Sequence, residues 1–199
     1  MTGAGGQAHG AHASGLPAWP GIDEEAVAAT CAVIARRLVL SQKKSVGVLP
    51  VGGAPNLGPL LVRLAVALAR FGEGKVGVIP RWRTWARDPG GAEGAAADAS
   101  RVRLRAMGPD VVAIVPPAAG DVREAALVLQ PALWDLPAGL TRVLVDLSGY
   151  SKPGVWPGTG VLVDGVVLAV PRRIARRSSV ERLLATAPAG KCMGSILLG

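Results

Sequence analysis

The sequence has few of the residues that build metal centres or disulfides. Only two cysteines and two histidines occur in 199 residues, and His9 and His12 both precede the first predicted helix or strand. Two histidines and two isolated cysteines cannot supply an ordered zinc site. Cys31 and Cys192 stand in apolar surroundings, so we predict buried, reduced thiols rather than a disulfide. A large share of metalloenzyme chemistry is therefore excluded.

Long hydrophobic runs and targeting signals are also missing. No uncharged apolar run reaches the roughly 18–20 residues of a transmembrane helix. Residues 1–21 combine Gly, Ala, His and Pro without a basic start or an apolar centre, which predicts a flexible tail and no secretory signal. The sequence thus predicts a cytoplasmic protein without a transmembrane segment, whose residues 22–199 form a single domain.

Apolar residues and positive charge, by contrast, are abundant. Hydrophobic residues make up 50 % of the chain, which is enough to bury a sizeable core and excludes disorder throughout. The formal net charge is +8, from 22 Lys and Arg against 14 Asp and Glu. Such a charge favours anionic partners, namely non-specific nucleic acid, a membrane surface or an acidic protein, and it equally fits a solvated, soluble surface.

Short apolar runs alternate with helical patterns along the chain. The runs are near-continuous in Val, Ile and Leu, which is typical of strands covered on both faces. The predicted strands are 45–50, 75–80, 110–116, 141–147, 164–170 and 192–198, and the predicted helices are 24–40, 59–71, 121–136 and 178–186. This alternation predicts an α/β fold, a doubly wound and mainly parallel sheet of about six strands flanked by helices. Ala86–Arg105 fits either a flexible lid or a disordered insertion.

In such a sheet, ligands meet the loops at the carboxyl ends of the strands. The loop after the first strand is rich in glycine and leads into a helix, as a phosphate-binding loop does. Gly53 and Gly58 have the separation of the pattern G-x-x-x-x-G-K-[ST], but Pro59 and Leu60 replace its Lys and its hydroxyl residue. If the loop is aligned on the helix instead, Leu57 takes the place of the Lys and Gly58 that of the hydroxyl residue.

Either alignment removes the cation that contacts the β- and γ-phosphates and the hydroxyl that binds Mg²⁺. Pro55 and Pro59 each remove a backbone donor as well. We therefore predict no catalytic residue for phosphoryl transfer and no required cofactor, with ATP and Mg²⁺ disfavoured. The residues interpreted as remnants of a nucleotide loop are Gly52, Gly53, Gly58 and Asp146.

Asp146 and a loop rich in arginine and tryptophan follow two other strands. Asp146 ends a buried run, where P-loop enzymes hold Mg²⁺, and without phosphate-loop partners it fits a loop cap that binds backbone N–H groups near Ser148 and Gly149. The arginine- and tryptophan-rich loop, Pro80–Pro89, follows the second strand. Its composition fits stacking and phosphate contacts with a nucleotide or nucleic acid, or tryptophans packed on the domain beneath solvated arginines. The candidates for partner or anion binding are Arg81, Trp82, Arg83, Trp85 and Arg87, together with Arg172, Arg173, Arg176 and Arg177.

Taken together, residues 25–198 resemble the MinD/ParA-type P-loop ATPases, and among them the cytoplasmic domain of bacterial tyrosine autokinases that act in polysaccharide export. The resemblance rests on KSVGVLPVGG followed by LVRLAVALARF, then KVGVIPRWRTWARDP, VLVDLSGY, VDGVVLAVPRRIARRSSVERLL and KCMGSILLG, in the family's order. It implies a Rossmann-like sheet and, as in typical members, a nucleotide-dependent dimer.

The chain departs from that family at its chemical groups. The family's signature Lys falls near Gly52, the acidic pair after the second strand is replaced by Pro80-Arg81-Trp82, and Tyr150 is the only tyrosine. Asp146 alone matches an active-site position. We therefore predict a non-catalytic pseudo-ATPase, a structural or regulatory interaction protein that pairs with a related ATPase, with itself or with a membrane-associated assembly. The alternative is a nucleotide- or non-specific nucleic-acid-binding module of the ParA type with weak or no ATP hydrolysis.

Overall fold

The fold is seen in a computed structural model, which describes residues 24–52, 56–72, 74–86, 102–117, 119–134, 136–150, 156–172 and 175–198. The predicted tail, residues 1–21, lies outside these ranges, as do Gly53, Arg87 and Arg173. For Trp85 the structure describes the backbone only. The predictions that concern these residues therefore stay predictions.

The described ranges contain seven strands and six helices. The strands are β1 (Ser45–Pro50), β2 (Lys75–Ile79), β3 (Arg103–Ala106), β4 (Val111–Val115), β5 (Leu140–Asp146), β6 (Gly165–Pro171) and β7 (Cys192–Leu198). The helices are α1 (Glu24–Leu40), α2 (Gly58–Phe71), α3 (Trp82–Ala86), α4 (Val122–Trp134), α5 (Trp156–Leu162) and α6 (Arg177–Thr186). All six predicted strands and all four predicted helices are present.

The strands form one sheet in the order β3-β4-β2-β5-β1-β6-β7. All neighbours are parallel except β3, which pairs antiparallel with β4 at one edge. The predicted doubly wound, mainly parallel sheet is therefore confirmed. The interpretation of Ala86–Arg105 is wrong at its carboxyl end, because Arg103–Ala106 is an ordered edge strand. Residues 87–101 lie outside the described ranges.

Two apolar cores, one on each face of the sheet, explain why the strands carry unbroken runs of Val, Ile and Leu. In β1, Val46 and Val48 pack under α1 and α2, whereas Leu49 belongs to the core beneath α4 and α5. Successive side chains of a strand point to opposite faces, so a strand covered on both sides needs apolar residues at consecutive positions. Helices on both faces make the molecule a three-layer sandwich.

The parallel strands begin at one end of the sheet, which we call the amino edge. At this edge a strand residue, Arg142, forms hydrogen bonds to the end of a helix. The Arg142 guanidinium donates to the carbonyl oxygens of Leu38 at 3.2 Å, of Val39 at 3.1 Å and of Lys43. These carbonyls belong to the last turn of α1 and the segment after it, where helix acceptors lack partners within the helix. Burial lowers the pKa of Arg142. The side chain from β5 therefore caps α1.

The cysteine prediction is right about the free thiols but right about burial for only one of the two. Both cysteines are free thiols, but Cys31 is buried whereas Cys192 is exposed, because β7 is the outermost strand.

Among the described residues, no group of three or more His, Cys, Asp or Glu is placed to hold a metal ion. None of the helices in the described ranges is long and apolar enough to cross a membrane.

Candidate functional site

The opposite end of the sheet, which we call the carboxyl edge, gathers the predicted site residues. Gly52 follows β1, Asp146 ends β5, Arg81 follows β2 and Arg172 follows β6. These four strands are consecutive in the sheet, in the order β2-β5-β1-β6, so their ends lie within about 15 Å of one another at the usual strand spacing. The topology thus joins loops that are distant in sequence into one surface.

The described residues between β1 and α2, together with the first turn of α2, offer few backbone donors to an anion. Gly52 is exposed, with φ at +72°. Asn56 Oδ1 accepts the Gly58 N–H at 3.0 Å, Pro59 has no N–H, and the Leu61 N–H donates to the Leu57 carbonyl at 2.9 Å. Three of the first four positions of α2 therefore offer no donor to an anion. A phosphate-binding helix end needs those donors directed at the ligand.

Leu57, which one of the two sequence alignments sets at the position of the phosphate-loop Lys, is a core residue. Leu57 is the N-cap residue of α2 and is fully buried, in the core beneath α1 and α2. In the alignment on the helix, this is where the phosphate-contacting Lys would stand. Its side chain packs into the protein and offers no charge to a ligand.

Asp146 binds its own turn, as the loop-cap interpretation predicts. Its carboxylate is buried, and Oδ1 accepts the Ser148 N–H at 2.8 Å. Burial raises the pKa of Asp146, while the hydrogen bonds from Ser148 and the nearby Arg81 charge oppose this rise. A carboxylate with one oxygen bound to the turn still has a second oxygen, so Asp146 could contribute one ligand to a cation but brings no second carboxylate.

Trp82 begins the short helix α3 and packs against the turn that Asp146 caps. A Cβ atom at Gly149 would lie 2.8 Å from Trp82 Nε1, so only glycine fits there, and its φ of +92° also favours glycine. Within the described part of the chain, Trp82 Nε1 is buried without a hydrogen-bond partner. The Arg83 guanidinium lies 5.5 Å from the Trp82 ring centroid, within cation–π range. Packing of Trp82 on the domain beneath an exposed Arg83 is therefore observed.

The arginines after β6 are exposed at the start of α6. Arg176 is the N-cap residue of α6 and makes no side-chain cap hydrogen bond, and Arg177 Nε donates to Glu181 Oε1 at 2.7 Å. An exposed pair of this kind contributes little stability, but it partly neutralises Arg177. Arg172 and Arg176 are the members of this predicted cluster that the structure leaves exposed without an acidic neighbour among the residues it describes.

Sequence reasoning missed two residues of this edge. Asn56 forms an Asx turn just before α2, and the spacing Asn-x-Gly ahead of a helix could have indicated it. Tyr150 is 2 % exposed, and burial together with the Asp146 charge raises its pKa. Nothing local in the sequence indicates that burial, because it arises from the core beneath α4 and α5.

Comparison with solved structures identifies the fold. The BceF tyrosine kinase domain matches with a TM-score of 0.58 and 16 % identity, over 88 % of this chain and 76 % of that one. The VpsO kinase domain matches with a TM-score of 0.59 and 16 % identity, over 87 % of this chain and 96 % of that one. The chain has the fold of these kinase domains. No protein-family model matches the sequence, and a search of curated proteins finds no match either.

The comparison therefore agrees with the resemblance to tyrosine autokinases at the level of fold. At 16 % identity it carries no information on whether the chemistry is retained. Whether kinase chemistry is retained depends on the side chains and backbone donors at the carboxyl edge.

Proposed function

We propose that this chain is a non-catalytic protein with a kinase-domain fold, and that it acts by binding a partner at its carboxyl edge. The observation that supports this most directly is the burial of Leu57 where a phosphate-contacting Lys would stand. P-loop chemistry depends on positioning and charge, namely the Lys, the backbone donors and the Mg²⁺ ligands. The first turn of α2 has none of the side chains and few of the donors.

The only tyrosine supports the same proposal. A kinase that phosphorylates its own tyrosines needs a phenol that reaches an active site, and Tyr150 is enclosed in the core. Since the chain contains no other tyrosine, autophosphorylation would require the domain to open. Tyrosine autokinase activity is therefore not part of the proposal.

The surface proposed for the partner consists of Arg81, Arg83, Arg172 and Arg176, all exposed at the carboxyl edge. Their common charge suits an acidic face. In the family that the sequence resembles, this face lies between subunits, so the proposed partners are a related ATPase, a second copy of this chain that contributes an acidic face other than its own carboxyl edge, or a membrane-associated assembly. Loss of the nucleotide groups leaves the shape of that face in place.

A thermal-shift measurement with ATP, in the presence and absence of Mg²⁺, tests the non-catalytic part. A ligand that binds only the folded state raises the melting temperature, so we expect no Mg²⁺-dependent rise and no ATP hydrolysis above the background. An active kinase domain serves as the assay control. A Mg²⁺-dependent rise that disappears in Asp146→Asn would overturn the proposal.

Analytical ultracentrifugation tests the partner surface, with this chain alone and mixed with a related ATPase. Arg81→Glu/Arg83→Glu is expected to weaken any complex at least about tenfold, because like charges across an interface repel. Arg36→Glu/Arg37→Glu makes the same charge change on α1, away from the carboxyl edge, and is expected to leave the complex intact. Equal loss in both variants, or no complex in either mixture, would contradict a partner surface at the carboxyl edge.

A further inference from the structure

The amino edge carries a concentration of positive charge that the candidate site does not use. Five of the helices end there, because each of α1, α2, α4, α5 and α6 precedes a parallel strand by a short connection. Eight cationic residues lie at these helix ends and strand starts: Arg36, Arg37, Lys43, Lys44, Arg70, Lys75, Arg142 and Lys191. The described acidic residues at this edge are Asp110 and Asp164.

Positive charge remains in excess when the acidic residues that the structure does not describe are added to the count. Glu73 and Asp135 stand in the same connections in the sequence, which makes eight cations against four acids. The Asp164 carboxylate already accepts hydrogen bonds from the backbone N–H groups of Lys44 and Ser45. The side chains of Arg142 and Lys191 donate to backbone carbonyls and not to carboxylates. The edge is therefore a cationic surface.

Large apolar side chains are exposed among these cations. Leu40, Phe71 and Trp134 are the last residues of α1, α2 and α4, Val161 is in the last turn of α5, and Met107 is in the turn between β3 and β4. Their exposed fractions range from 44 % to 75 %. A soluble surface does not require an apolar residue at each of these helix ends, so the recurrence calls for a common explanation.

We propose that the amino edge binds the surface of an anionic lipid bilayer. The cations would contact lipid headgroups, and the apolar side chains would enter the boundary between headgroups and acyl chains. Tryptophan favours that boundary, which suits the exposed Trp134. The proposal is independent of the proposed function, because it uses the end of the molecule opposite the carboxyl edge.

The distribution of the side chains favours a bilayer over other anionic partners. The edge spans seven strands, or about 30 Å at the usual strand spacing, and its apolar residues are separated by cations. A fluid headgroup layer can adapt to such scattered insertion points, whereas a protein interface is built around a contiguous apolar core. Nucleic acid would use the cations but has no matching role for exposed aliphatic residues such as Leu40 and Val161.

Vesicle co-sedimentation of the full chain tests this proposal, with phosphatidylcholine vesicles that contain or lack phosphatidylglycerol. We expect binding only when phosphatidylglycerol is present, weakening as salt is raised because ions screen the headgroups. Each cation at an anionic surface contributes about fivefold to the partition coefficient. Lys44→Glu/Lys75→Glu is therefore expected to lower it by about 20-fold or more.

Matched variants separate this surface from net charge and from misfolding. Arg123→Glu/Arg182→Glu makes the same charge change on α4 and α6 and is expected to bind nearly as the parent does. Leu40→Ser/Phe71→Ser should weaken vesicle binding several-fold, whereas Leu127→Ser/Leu197→Ser, which alters equally exposed leucines elsewhere, should not. Thermal melting of each variant checks that it is folded.

Three results would overturn the proposal. The first is equal binding to vesicles with and without phosphatidylglycerol, or binding to neither. The second is equal loss of binding in the amino-edge and control variants. The third is duplex DNA binding that Lys44→Glu/Lys75→Glu abolishes, in a protein that does not sediment with vesicles. None of these measurements involves ATP, so failure here would leave the nucleotide-binding test of the proposed function unaffected.

Discussion

At the scale of single residues, Asp164 joins two strands that are far apart in the sequence. Its Oδ2 atom accepts hydrogen bonds from the Lys44 and Ser45 backbone N–H groups and from Ser45 Oγ, at 2.9–3.1 Å. Ser45 Oγ in turn accepts the Asp164 N–H at 2.9 Å. Partial burial raises the pKa of Asp164, but these hydrogen bonds and the Lys191 charge outweigh it and hold the pKa below its usual value.

This geometry predicts a pH-dependent contribution to stability. Because the folded pKa of Asp164 is lowered, its contribution is complete above the unfolded value of about 3.9 and is lost as pH falls through the folded pKa. In urea unfolding at pH 7, Asp164→Asn should cost about 1 kcal/mol after allowance for solvent screening. The difference between the parent and the variant should shrink as the pH falls below about 4.

Glu181→Gln provides the comparison for this measurement, because the Arg177–Glu181 pair is exposed. The pair should contribute little to the free energy of unfolding, both at pH 7 and at low pH. If the Asp164→Asn difference stays constant down to low pH, the carboxylate charge is not what stabilises the junction between β1 and β6.

Residues of this kind show where sequence reasoning stops. Arg142 caps α1 through carbonyls up to 104 positions away, and an arginine in a strand pattern indicates no such partner. By contrast, Asp146 could be interpreted as a turn cap because its acceptor and donor are two positions apart. Local hydrogen bonds leave a trace in the sequence, whereas long-range ones depend on the fold.

At the scale of elements, β2 owes its close packing to a glycine. A Cβ atom at Gly77 would lie 2.5 Å from Ile114 Cδ1 and 3.1 Å from Val143 Cγ2, both in the neighbouring strands β4 and β5. Gly47 in β1 is equally constrained by Leu147. These positions explain how glycine can stand in the middle of strands whose other residues are strongly apolar.

Gly77→Ala is therefore expected to overpack the core between the sheet and α4. The free energy of unfolding should fall by about 1–3 kcal/mol, measured by urea denaturation. Gly108→Ala is the matched control, because nothing lies within 4 Å of a Cβ atom there. That change should be neutral or slightly stabilising, since it restricts the unfolded chain. Equal destabilisation by both changes would refute this account of β2 packing.

The elements that sequence reasoning missed are the short ones. α3 has five residues, β3 has four and α5 has seven. Over such lengths a periodic pattern completes at most two turns or two alternations, so the apolar spacing carries little information. α5 also contains a proline and two glycines, which argue against a helix in isolation. Packing against the sheet determines these elements.

At the scale of the whole molecule, the sheet order predicts how stability is distributed. β1, β2, β4, β5 and β6 each have strands on both sides, whereas β3 and β7 are the outer strands of the sheet. In amide hydrogen exchange, we expect the slowest exchange in the five inner strands and much faster exchange in β3, whose residues are all exposed. Protection of β3 equal to that of β5 would mean that the edge is covered by more than the described residues.

The two ends of the sheet are also chemically different. The carboxyl edge holds the turn that Asp146 caps and the start of α2, and the amino edge holds the cationic and apolar residues of the helix ends. Doubly wound topology separates these surfaces by the length of the strands, so a partner at one end leaves the other end free. A molecule that binds at both ends could link two components.

The sequence by itself determined the class of fold, because periodicity and unbroken apolar strands are local properties that follow from burial on two faces. It also determined that no lysine or hydroxyl residue stands at the positions predicted for a phosphate loop. Only the tertiary structure decided that Leu57 is buried, that Tyr150 is enclosed, and that cations from several helix ends and strand starts meet at one edge. Those facts depend on which strands become neighbours, and strand order arises from long-range packing that no local stretch of sequence encodes.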